Sequence, residues 1–310
     1  MIVLTDEDVR ARLRPADAVA AVREALAGQR EGRLFAPARL RADLGAGSMV
    51  VTAGRLAGTG YGFRAYDTFG AGEQLTVVWD DDGTLVGAVA GSFLGAARTG
   101  AIGAVAVDLL AAPAAASLGV VGTGRQAYAQ LWAIRAVRAL REVRVYGRDA
   151  GRRAGFADRC RAELGLPAVA AASAEEAVSG AEIVLLATDS PTPVIEAGWV
   201  RPDAHVTTLG PKTVGRHECP VELAARADTL VTDSLAQVDA YPEPFFLDGS
   251  GHLERLTALA DVLADGSVTG SVTGPATGLA TGPATGRMTM FCSVGLAGTE
   301  VAVAARLLRS

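Results

Sequence analysis

The spacing of apolar residues divides the chain into two patterns. From Pro15 to Ala27, Ala18, Val19, Val22, Ala25 and Leu26 share one face at helical spacing, which predicts an amphipathic helix. Ahead of it, Thr5 followed by Asp8 predicts a helix start, with Thr5 as N-cap and acids in the first turn. Between 48 and 90 the apolar runs are short and β-prone: Met49-Val50-Val51, Gly60 to Phe69, Leu75 to Trp79 and Leu85 to Ala90. Asp80-Asp81-Asp82-Gly83 separates the last two as a hairpin turn, so an antiparallel sheet in an α+β domain is expected. Arg98 to Leu110 reads as a helix of small residues that ends near Pro113.

Beyond Pro113 strand and helix alternate. Strands are expected at Ser117 to Val121, Val143 to Tyr146, Ile183 to Ala187, Val206 to Leu209 and Thr229 to Val231. Helices are expected at Arg125 to Ala139, Ala154 to Leu164 and Glu175 to Val178. This order predicts an α/β, Rossmann-type domain with a doubly wound parallel sheet. Residues 266–286, GSVTGSVTGPATGLATGPATG, have a composition that cannot pack a core and predict a flexible surface loop. Met288 to Arg309 reads as a strand-like piece and a final helix that return to the first domain. The expected division is residues 1–113 with 288–310 as one domain and 114–287 as the other.

A length of 310 residues favours two domains, and half of the residues are hydrophobic, ample for sizeable cores. The net charge of -5 carries no nucleic-acid footprint. Cys160, Cys219 and Cys292 are far apart, which argues against a disulfide framework or structural zinc and fits a reducing cytoplasm. No His/Cys/Asp group has metal-ligand spacing. The first residues lack the features of a signal peptide. The stretch Ala101 to Ala116 is read as too short to span a membrane and is interrupted by Asp108 and Pro113. A cytoplasmic protein without membrane or nucleic-acid partners is expected. Twenty-eight of the 29 cationic side chains are arginine, so any chemistry that needs a lysine falls to Lys212.

One motif carries explicit chemistry. Gly122-Thr123-Gly124-Arg125-Gln126-Ala127 follows the apolar strand Leu118 to Val121 and opens a helix. Gly122 permits the tight turn, Gly124 lets the backbone approach phosphates, and Ala127 keeps helix and sheet close. The free N–H groups and positive dipole end of the helix then suit a pyrophosphate. The alternative is a glycine-rich turn without a ligand. At the end of the next strand Arg148 precedes Asp149. The arginine favours the 2′-phosphate of NADPH and the acid favours NADH. NADPH is the expected cofactor, NADH the alternative.

Five segments occur in order: Arg98-Thr99-Gly100-Ala101, the glycine turn, Ala187-Thr188-Asp189-Ser190-Pro191-Thr192-Pro193, Gly215-Arg216-His217-Glu218, and Phe291-Cys292-Ser293-Val294-Gly295-Leu296-Ala297. Together they resemble the ornithine cyclodeaminase/μ-crystallin family over nearly the whole chain. The resemblance implies a homodimer whose first domain binds substrate and dimerises. It also implies hydride transfer between a nicotinamide and an amine or imine carbon beside a carboxylate. By this resemblance Arg98 grips the substrate carboxylate, helped by Arg39, with Arg41 close enough to confuse the register. Cofactor contacts fall on Thr99, Gly122, Thr123, Gly124, Arg125, Gln126, Arg148, Thr188, Ser190, Leu209, Gly210, Ser293, Val294 and Gly295. Plain turn chemistry is the other reading of the small residues among them.

Two positions depart from the family. Its active-site lysine is replaced by Arg64, and the cyclodeaminase aspartate by Lys212. A guanidinium does not act readily as an acid or base near neutral pH, whereas burial can tune a lysine to do so. The proton-transfer role is therefore expected at Lys212, with Arg64 as its catalytic companion; an ordinary loop lysine is the rival reading. A site holding Arg39, Arg64, Arg98 and Lys212 favours anions. The expected activity is that of an imine reductase or amino acid dehydrogenase acting on a small imino, amino or keto acid. The alternatives are a cyclodeaminase that uses bound NAD without net redox change, and a non-catalytic ligand-binding protein of the μ-crystallin type. Asp233, at the end of the strand Thr229 to Thr232, is read either as a residue near the cleft or as one that holds a turn, and Glu218, which matches a family position, has holding its loop as the other reading.

Overall fold

In the computed structural model, which describes residues 2–70, 72–264 and 286–309, the first 110 residues form an α+β unit. Its elements are β1 (Ile2–Leu4), α1 (Asp6–Arg12), α2 (Pro15–Arg30), β2 (Leu34–Phe35), β3 (Leu40–Asp43), β4 (Ser48–Leu56), β5 (Gly60–Asp67), β6 (Gln74–Trp79), β7 (Leu85–Ala90) and α3 (Phe93–Leu110). Thr5 and Asp8 form a capping box at α1. The hairpin between β6 and β7 turns on Asp80, whose carboxylate accepts the N–H groups of Asp82 and Thr84, and on Gly83 at φ +85°. The strands lie in the order β1-β7-β6-β5-β4-β2, with β3 also on β4; only β1 pairs in parallel. Along β4, Ser48, Val50, Thr52, Gly54 and Leu56 point inward, while Met49 and Arg55 face out.

The second unit contains β8 (Ser117–Val121), α4 (Arg125–Ile134), β9 (Glu142–Tyr146), α5 (Ala150–Leu164), β10 (Ala168–Ala170), α6 (Ala174–Val178), β11 (Ile183–Leu186), β12 (His205–Thr208), β13 (Lys212–Thr213), β14 (Arg216–His217), α7 (Glu222–Arg226), β15 (Thr229–Thr232), α8 (Leu235–Asp239), β16 (Leu256–Ala258), α9 (Leu259–Ala264), β17 (Thr289–Cys292) and α10 (Thr299–Leu308). Eight of these strands form one parallel sheet in the order β10-β9-β8-β11-β12-β17-β15-β16. The expected Rossmann-type α/β class is thus observed.

The segment 288–310 does not go to one domain as expected. Its strand β17 is buried along its whole length and inserts between β12 and β15 of the parallel sheet, as a strand with two apolar faces must. Only α10 crosses to the first unit, where it packs against β4 to β7, α2 and α3. Gly298, at φ +82°, lets the chain press against Gly54 and Leu34 at that crossing.

Helix boundaries also differ: α5 starts at Ala150 rather than Ala154, because the Asp149 carboxylate caps it by accepting the Arg152 N–H. α4 stops at Ile134 rather than Ala139, because the bonds from Ala136 to Ala133 and Val137 to Ile134 tighten its last turn without any glycine or proline. α3 starts at Phe93, whose N–H is taken by the Asp6 carboxylate 87 positions away at 2.8 Å. At 18 residues α3 is long and apolar enough to cross a membrane by those measures alone. It is nevertheless a core helix, with 89% of it buried. Gly100 brings α3 against the Ala129 backbone of α4, with no room for a Cβ. All but Gly286 of the tract 266–286 lies outside the described residues.

Candidate active site

The turn after β8 has the shape its sequence requires. Gly122 takes φ +124°, and a Cβ there would run into the Ala187 carbonyl. Gly124 faces open space and starts α4, and no side chain caps that helix. Gln126 Oε1 is buried beside it without a partner. Thr123 packs against Gly147, and Arg125 is exposed. This cradle of free N–H groups and open backbone fits a dinucleotide pyrophosphate. Arg148 is exposed at the end of β9, while Asp149 caps α5 by accepting from the Arg152 N–H at 2.7 Å. Thr99 donates its hydroxyl to the Gly95 carbonyl within α3 and receives Gln130 Nε2 on its own carbonyl.

The neighbouring strand-end loops are tied by Glu218. One oxygen accepts from Thr188 N and Oγ1; the other accepts from Thr208 Oγ1, Leu209 N and Gly210 N. The carboxylate is fully buried. It therefore holds the loops after β11 and β12 in one arrangement, as its turn-holding reading foresaw. Ser190 closes its own turn onto Thr188 and Thr192. The third loop, Ser293-Val294-Gly295, is fixed by Asp233, which accepts from Val294 N and Gly295 N at 2.8 Å each and from Ser293 Oγ. Burial pushes the Asp233 carboxyl above its usual range, against those hydrogen bonds and Arg98.

Arg39 and Arg98 meet at that loop, and Arg64 lines the same pocket. Arg39 donates to the Val294 carbonyl and to Gln237 Oε1. Gly295, at φ +89°, lies directly under the guanidiniums of Arg39 and Arg98. Arg41, on the exposed strand β3, instead bonds Ser48 of β4, so Arg39 is the one that lines the pocket. Arg64 projects from the inner face of β5 against Gly95 of α3 and over the Tyr66 ring.

A residue that sequence reasoning missed completes the cluster. Glu300, in the first turn of α10, is 2% exposed and pairs through Oε1 with both Arg98 and Arg64, the latter at 3.4 Å. The signal was a lone acid at the head of an apolar helix. Burial pushes the Glu300 carboxyl up, but Arg98, Arg64 and Arg39 outweigh it and hold it below the usual range. Burial also lowers Arg98 to about 10, with Glu300 only partly opposing. Arg98 and Arg64 thus share one carboxylate while Arg39 bonds the neutral acceptors Gln237 Oε1 and the Val294 carbonyl, and the pocket has cation to spare.

Lys212 lies elsewhere. It is 2% exposed and donates from Nζ to the Gly210 carbonyl at 2.7 Å. No hydrogen bond or ion pair among the described residues joins it to the arginines; Asp233 is the charged group that both Lys212 and Arg98 feel. Burial lowers its pKa, opposed by Glu218 and by the groups of Cys292, Asp233 and Cys219. Tyr241 to Phe246 packs over this hairpin: the Phe246 N–H bonds the Lys212 carbonyl at 3.0 Å, and Phe246 lies against His217.

Residues 1–309 match the family model described as the Ornithine cyclodeaminase/mu-crystallin family. A Delta(1)-pyrroline-2-carboxylate reductase from Bacillus cereus is 34% identical over 144 residues, 46% of this chain and 44% of that one. The chain thus spans less than half the length of the curated relatives it matches. The structure of Thermococcus litoralis Delta(1)-pyrroline-2-carboxylate reductase with NADH and L-proline superposes with a TM-score of 0.83 at 23% identity, covering 100% of this chain and 97% of that one. An archaeal alanine dehydrogenase dimer with bound NAD does so with a TM-score of 0.83 at 24% identity, covering 100% and 95%.

Proposed function

The chain belongs to the ornithine cyclodeaminase/mu-crystallin family, and from that premise we propose that it is an NAD(P)H-dependent oxidoreductase acting on the imine or amine carbon of a small imino or amino acid. The observation that carries this reading is the convergence of Arg39, Arg64 and Arg98 on one pocket that Gly295 also lines, on a loop leaving the same sheet edge as the dinucleotide turn. Planar guanidiniums recognise a carboxylate bidentately, and their excess charge in a buried pocket strengthens that attraction. The bound nicotinamide supplies or receives the hydride. Gly122 to Gln126 would hold the pyrophosphate, Thr188, Gly210 and Ser293 to Gly295 would line the nicotinamide site, and Arg98 with Arg39 and Arg64 would fix the carboxylate next to the reacting carbon. Lys212 donates or accepts the proton on the substrate nitrogen; burial, which lowers its pKa, suits it to exchange protons closer to neutrality.

NADPH is the preferred cofactor, because Asp149 is committed to capping α5 and Arg148 is left as the charge at the strand end. The protein works as a homodimer through the outer face of the first sheet, where Met49, Val51, Tyr61, Phe63, Leu75, Val77 and Trp79 form an apolar surface that the chain itself leaves partly or fully exposed. The test is oxidation of NADPH and of NADH, followed by nicotinamide absorbance, with cyclic imino acids and with pyruvate plus ammonia. Consumption of reduced cofactor is expected. Ammonia release from ornithine with no change in that absorbance would replace the proposal with a cyclodeaminase.

A further inference from the structure

The arginine pocket already contains a carboxylate. Glu300 Oε1 sits between Arg98 and Arg64, in the place where an incoming carboxylate would have to go. The space left among Pro37, Arg39, Arg64, Arg98 and Glu300 is about 10 Å³, no more than one water needs. A substrate carboxylate and the Glu300 carboxylate therefore cannot occupy the pocket together in this arrangement.

We infer that Glu300 is an internal competitor for the arginines, so that a substrate carboxylate binds by displacing it. This rests on the reading of Arg98 and its neighbours as the carboxylate site. The seat of Glu300 is incomplete: Oε2 is buried without a partner, as are the Nε atoms of Arg64 and Arg98. A buried acceptor left unpaired is destabilising, so part of what the ion pairs contribute is offset while Glu300 stays in. Displacement exchanges one carboxylate for another and keeps the arginines paired throughout. The residue thus sets the affinity threshold of the pocket: a ligand must bring a full negative charge and a second oxygen better satisfied than Oε2.

Titration calorimetry of the full chain with pyruvate, a plain carboxylate probe, in the presence of NADP⁺ tests this. Glu300→Gln removes the competing charge at nearly constant shape, and pyruvate is expected to bind at least ~10-fold tighter. Glu300→Asp keeps the charge but shortens its reach, and is expected to fall between the two. A purely structural role for Glu300 would weaken binding in both variants. Unchanged or weaker binding in both, with binding lost in Arg98→Met, overturns the competition and leaves the arginine site standing. Pyruvate binding retained in Arg98→Met overturns the arginine site itself. Should Glu300→Gln fail to fold, Glu300→Asp decides alone, tighter binding supporting the competition and equal or weaker binding overturning it.

Discussion

Glu218 and Glu300 are equally hidden from solvent, but Glu218 takes hydrogen bonds from five donors on both oxygens, whereas Glu300 takes only guanidiniums on one. The donors to Glu218 are hydroxyls and backbone N–H groups of loops that it fixes. Those to Glu300 are long side chains from β5 and α3 that can turn to another anion. One region is built to keep its carboxylate; the other is built around a charge that can be exchanged. Frameworks that position a cofactor gain from the first kind, and sites that must bind and release gain from the second.

The contrast can be broken most severely at Glu218. Glu218→Ala orphans donors in two loops at once and is expected to cost about 3 kcal/mol or more of stability, read by denaturant unfolding, together with loss of cofactor binding. Arg98→Met comes next: the fold should persist while kcat/KM falls on the order of 100-fold, since a buried charge partner of the substrate is gone. Lys212→Met separates chemistry from binding, with kcat reduced by roughly 100-fold and pyruvate affinity held. The wild-type rate should fall as pH rises through a lysine pKa below 10.5 if Lys212 acts as the acid. A linked measurement concerns His205, held neutral in β12 between Thr207 and Thr289, with a pKa lowered to about 3 by burial. The unfolded chain takes up that proton below 6.5 and the folded chain does not until about 3, so stability should drop as pH falls through this window. Thermal melts should show His205→Gln losing about 2 kcal/mol less than wild type between about pH 7 and 5. The smallest effect is expected at Arg148→Ala, a roughly 10-fold shift of cofactor preference from NADPH towards NADH, measured as a ratio of KM values.

The dinucleotide cradle was legible because its parts are contiguous: strand, glycine turn and helix start occupy eleven residues, Leu118 to Tyr128, and each glycine answers a local geometric demand. The antiparallel sheet was legible for the same reason, through alternation and the Asp80 turn. The arginine pocket was only half legible. Arg98 and Glu300 stand 202 positions apart, and Arg39 and Val294 are separated by 255. No local pattern reports such a meeting. Residue type and resemblance named Arg39, Arg64 and Arg98, while the acid that joins two of them passed as an ordinary first-turn glutamate. Lys212 was expected beside the arginines because the family resemblance puts it where the cyclodeaminase aspartate stands. Its burial under Tyr241 to Phe246 and its bond to Gly210 depend on the packing of a hairpin that short, weakly patterned segments do not announce.

The position of β17 has a consequence for how the molecule comes into being. During synthesis β12, β15 and β16 leave the ribosome before Thr289 to Cys292 do, yet β17 must lie between β12 and β15. Until then β12 and β15 expose unpaired inner edges, the kind of surface on which growing chains associate wrongly. The parallel sheet and the arginine pocket, which needs Gly295 and Glu300, are completed by the same late segment. Assembly of the parallel sheet and of the arginine pocket should therefore finish together.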